Sequence, residues 1–120
     1  MADESDKIYV VKTTATARAA IREQVLYIAV DQRSPQNATE WLDRVWTCID
    51  NLEILPQRHP IAEGYDRIPY IVRRMVLDNH LILFTVDIAA GTVYVVGLRH
   101  GAQLPNFVDI PKFPNSNDPI

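Results

Sequence analysis

The sequence predicts an α+β domain of order β-α-α-β-β-β, with a helical hairpin packed on one face of a mostly antiparallel four-stranded sheet. Three observations carry this. Two stretches repeat apolar residues at helical spacing, from Ala15 to about Asp31 and again after Ser34-Pro35. Three β-branched and aromatic runs follow between Ile71 and Gln103, broken by Asp78-Asn79 and by Ala89-Ala90-Gly91. A shorter run of the same kind, Lys7 to Lys12, opens the chain.

Each element has a local reason. Thr13-Thr14 offers a hydroxyl cap, and Ala17, Ile21, Val25 and Ile28 then share one helical face, leaving Arg18, Arg22 and Glu23 for water. Ser34-Pro35 restarts a helix, with serine at the cap and proline at the first turn. Ala38, Trp41, Leu42, Val45, Ile49 and Leu52 form the clearest buried stripe in the chain, Glu40 and Arg44 are spaced as an ion pair, and Pro56 stops the helix. The gap Gln32 to Ser34 is short enough to lay the helices side by side. Gln57 to Pro69 reads as a loop. Asp78-Asn79 suits a two-residue hairpin needing positive φ.

In the first of the three strands Ile71, Arg73, Met75 and Leu77 share one face, and Val72, Arg74 and Val76 the other. Both sets hold large apolar residues, whereas a sheet with helices on one side only is usually polar on the other. The expectation is therefore an apolar second face that this chain leaves open for a partner. Residues 1–6 read as an acidic N-terminus, 7–103 as the domain, and 104–120, with proline and isolated aromatics, as an extended tail.

Composition narrows the class. The chain has 120 residues, 48% of them apolar, and no run near the roughly 20 apolar residues that span a bilayer. Of 12 basic and 15 acidic residues, Asp3, Glu4, Asp6, Asp109, Asp118 and Lys112 lie in the termini, which leaves the body near +1. That excludes the strongly basic face of a nucleic-acid-binding protein. A polar acidic start and a single cysteine, Cys48, fit a cytoplasmic protein. His59, His80 and Cys48 have no metal-ligand spacing, so neither a metal nor a cofactor is expected.

In order and wording the elements resemble the RelE/ParE superfamily of toxin–antitoxin toxins. The resemblance runs from Ile8 to about Gln103. It rests on Tyr9-Val-Val-Lys-Thr-Thr, Tyr27-Ile-Ala, Ser34-Pro35 with Ala38-Thr-Glu-Trp-Leu-Asp-Arg, Leu52-Glu-Ile-Leu-Pro56, Ile71-Val-Arg-Arg-Met-Val and Val95-Val-Gly-Leu-Arg-His-Gly-Ala. It implies a small growth-inhibiting toxin of a plasmid-stabilisation module, neutralised in a hetero-oligomer by a cognate antitoxin. ParE-like members poison DNA gyrase; RelE-like members cleave mRNA on the ribosome with cationic residues of the open sheet face and near its C-terminal end. The helix pair and the Arg-His-Gly ending look closer to ParE. His80-Leu81 stands where the family's third strand commonly begins Tyr-Arg, and Gln103 where a second arginine often follows the ending. These departures count against RNA cleavage.

Two functional readings therefore compete with a third, a member that has lost toxicity and survives as a binding module. For cleavage, His100 is the candidate acid or base, and Arg99 with Arg73 or Arg74 would hold the phosphate. For binding, the candidate partner residues are Arg73, Arg74, Met75, Trp46 and Arg99. The expected partners are the antitoxin and gyrase, or the ribosome and mRNA in the alternative, and not a membrane.

Overall fold

A computed structural model describes residues 7–106 and 109–114 of the chain. The expected acidic N-terminus, 1–6, lies outside the described residues, as do 107–108 and 115–120 of the tail. The elements are β1 (Val10–Thr13), α1 (Ala15–Leu26), α2 (Pro35–Asp50), β2 (Arg73–Leu77), β3 (His80–Asp87) and β4 (Thr92–His100). This is the α+β order the sequence implies. The sheet runs β1-β4-β3-β2, with β1 parallel to β4 and the other pairs antiparallel.

Thr14 fixes the start of α1 and ties it to the sheet. Its hydroxyl accepts from the Ala17 amide at 3.2 Å and donates to the Val95 carbonyl of β4 at 2.9 Å. Because Thr14 is fully buried, its loss leaves the Ala17 amide without that acceptor, while the Val95 carbonyl keeps the Thr14 amide as a donor at 3.0 Å. Thr14→Ala is expected to cost about 1–2 kcal/mol, read as a lower urea midpoint at unchanged slope. Past Leu26 the helix widens into one π-helical turn, Tyr27–Asp31, before Arg33, at φ 53°, reverses the chain into α2. Ser34 precedes Pro35 as expected, yet its side chain makes no cap hydrogen bond.

The helices bury their predicted faces. Ala17, Ile21 and Ile28 meet Ala38, Trp41, Val45, Ile49 and Leu52 over Met75, Leu77, Ile82, Phe84, Val93 and Val95. Arg44, expected to pair with Glu40, instead forks onto Asp78 in the β2–β3 turn, at 3.0 and 2.7 Å. Asp78 has φ 52°, as the two-residue turn demands.

The other sheet face departs from expectation. It is not left open: Ala62, Tyr65, Val72, Leu83, Tyr94, Val96 and Ile110 form a second buried cluster, with Ile68, Tyr70 and Leu81 packed against it. The loop before β2 folds across this face, and Ile110 of the tail lies on it. Hydrogen bonds from the Ala62 amide to the Val72 carbonyl and from the Arg74 amide to the Pro60 carbonyl hold the loop along the β2 edge. The apolar residues on both strand faces are thus largely satisfied within the chain.

A bulge in the central strand pair sets which β4 side chains reach this second face. β3 and β4 pair end to end, Asp87 with Thr92 and His80 with His100, although β4 is one residue longer. The extra residue is absorbed where the register shifts from Phe84–Val95 to Leu83–Gly97. Val96 and Gly97 consequently both lie toward the second face.

Candidate functional site

Strand alternation disperses the residues nominated for catalysis. Arg99 pairs with Leu81 and stands on the second face, its guanidinium carbon 5.9 Å from the centre of the Tyr65 ring. Its Nη1 donates to the Gln103 carbonyl, and its Nε–H is buried without an acceptor. Burial raises the Tyr65 phenol above its ordinary pKa, and the Arg99 charge opposes that. His100 is one residue further along and points to the helix side, its ring centre 5.2 Å from that of His80. Arg99 and His100 are therefore on opposite sides of the sheet.

The first-strand arginines are divided in the same way. Arg73 is on the helix side and donates to the His59 carbonyl at 2.8 Å and the Gln57 carbonyl at 3.4 Å. Arg74 is half-buried on the second face, opposite Leu83. Met75, expected on a partner surface, is 8% exposed in the core beneath the helices. Among the described residues no group of three or more metal-ligating side chains converges.

The sequence did not anticipate the cluster that His100 joins. Trp41 of α2 stacks edge-on against His80 with ring centres 5.5 Å apart, and His80 stacks against His100. His100 Nδ1 accepts from the Ala102 amide at 3.1 Å, so its Nε2 carries the proton when the ring is neutral. A cavity of about 500 Å³ opens beside them, walled by Tyr27, Gln32 and Gln103 among others. The only sequence signal was the cross-strand pairing, which requires knowing the bulge.

His80 is held below the ordinary imidazole value of 6.5, by burial first and then by the charge of His100, with Asp78 pulling upward. His59 is lowered too, by burial and then by Arg58 and Arg73. A depressed histidine gives the unfolded chain more bound protons as the pH drops through about 6.5, so stability is full above that value and declines below it. The urea midpoint is expected to fall between about pH 7 and pH 5, and His80→Gln to flatten that slope.

An apolar groove lies between the helices. Ile21, Val25 and Leu42 floor a groove of about 380 Å³, with Leu26 and Trp46 on its walls and Arg18 and Arg22 on its rim. Leu26 is 54% and Trp46 37% exposed, large values for such residues. Trp46 sits five residues from Trp41, so one ring packs inward while the other borders this groove. The groove is apolar within and basic at its edge, which suits an amphipathic helix with acidic flanks.

Comparison with known proteins agrees with this architecture. The family model described as the ParE toxin of the type II toxin–antitoxin system, parDE, matches residues 11–105. A chain of the chromosomal ParDE system from P. aeruginosa superposes with a TM-score of 0.61 at 14% identity, over 78% of this chain and 96% of that one. A chain of the RelBE2 toxin–antitoxin complex from Mycobacterium tuberculosis gives 0.50 at 19% identity, over 84% of this chain and 100% of that one. At such identities the likeness is one of fold. No curated protein sequence matches.

Proposed function

The chain belongs to the ParE toxin family of type II toxin–antitoxin systems, and from that premise we propose that it arrests growth by binding DNA gyrase and is silenced by a cognate antitoxin. One observation carries the choice of binding over cleavage. Attack by a 2′-oxygen needs an acid or base and phosphate-holding cations around one atom, and Arg99 and His100 lie on opposite faces of the sheet. Arg73 is engaged with loop carbonyls on the helix side as well. The mRNA endonuclease reading has one point in its favour, that Arg74 and Arg99 share the second face with Tyr65.

The antitoxin reading draws support from the basic-rimmed groove between α1 and α2. No helix among the described residues is long and apolar enough to cross a membrane. The test is a purified-component comparison. The protein should block supercoiling by gyrase while leaving mRNA intact in a translating extract, and His100→Ala should still arrest growth. Normal supercoiling with cut transcripts, lost on His100→Ala or Arg99→Ala, would replace this reading with the endonuclease. Harmless expression without antitoxin would leave a binding module.

A further inference from the structure

The second sheet face holds a seat that is filled by a segment from beyond the family domain. Ile110 is 5% exposed and packs with Leu83, Tyr94 and Val96, and Pro111 beside it is buried. Gly97 makes the seat deep enough: a Cβ there would stand 2.8 Å from Ile110 Cγ2, closer than side chains tolerate. The Tyr70 hydroxyl donates to the Pro111 carbonyl. Yet the family match ends at residue 105, and all four strands find their partners without the docked residues. Among the described contacts, Ile110, Pro111 and the hydrogen bond from Tyr70 seat these residues on an already formed surface.

We propose that residues 109–111 are a removable strap over an interaction surface, and that this surface takes an extended partner segment carrying a branched apolar residue followed by proline. Strap and partner compete for the Gly97 seat. Tethering gives the strap a local concentration of roughly millimolar, so a free segment at micromolar concentration finds the seat closed while the strap is intact. The surface becomes available when the strap is displaced. This holds whichever target the toxin poisons, and its test does not involve toxicity.

The experiment uses the full-length chain and, as probe, a labelled peptide of residues 104–114. Ile110→Asp should keep a cooperative melt and the wild-type near-UV spectrum while binding the peptide at least about tenfold more tightly than wild type does. Tyr70→Phe, which removes only the hydrogen bond to Pro111, should move binding in the same direction by a smaller factor. Gly97→Val should bind no better than wild type, because it expels the strap and blocks the seat together. Loss of the cooperative melt in both Ile110→Asp and Tyr70→Phe would show Ile110 to be core, overturning the proposal. Equal peptide binding by folded wild type, Ile110→Asp and Gly97→Val would overturn it too.

Discussion

Phe84→Ala is expected to cost about 3–5 kcal/mol, at the upper end for a single core truncation. Phe84 is fully buried in β3, an interior strand, and belongs to the cluster that joins both helices to the sheet. Its ring meets the His59 ring edge-on with centres 5.6 Å apart, so truncation also unseats the turn that carries the Arg73 acceptors. The surrounding atoms come from β-strands and helices fixed by their own hydrogen bonds, which limits collapse into the void. Against a total of about 5–15 kcal/mol for such a domain, the variant stands close to unfolding. Urea titration checks this; Val76→Thr, at an exposed edge position, is the matched control and should shift stability by less than about 0.5 kcal/mol.

Trp46→Ala is expected to weaken antitoxin binding by about 2 kcal/mol, roughly thirtyfold, with little effect on the melting temperature. The ring forms one wall of the α1–α2 groove while its neighbour Trp41 anchors the core, so removing it changes the surface and spares the packing. Arg22→Glu on the groove rim should act differently, slowing association and removing part of the salt dependence. Titration calorimetry with purified antitoxin, repeated at two salt concentrations, separates the two effects. Unchanged affinity for both variants would move the antitoxin away from this groove.

The elements were legible because their signals are local. The α2 stripe from Ala38 to Leu52 follows from periodicity alone, and Thr14 and Asp78-Asn79 follow from the chemistry of caps and tight turns. The cover on the second face was not legible. Ala62, Tyr65, Ile68 and Tyr70 are scattered through a loop with no period, and their burial depends on distant residues of β3 and β4. Arg99 and His100 lie on opposite sides of the sheet for a simpler reason: neighbours in a strand face opposite ways. The Trp41–His80–His100 stack needed the register across a bulge, which an eight-residue strand paired end to end with a nine-residue one implies only once the ends are known.

The parallel pairing of β1 with β4 has a consequence for how the molecule is made. Thr14 and its acceptor Val95 are 81 residues apart, so β1 has no strand partner until β4 has been made. At about 5–20 residues per second, the helical hairpin waits several seconds on a nascent chain before the sheet can close beneath it. Distant pairing of this kind slows folding, and a polypeptide stalled before Thr92 leaves β1 without its strand partner.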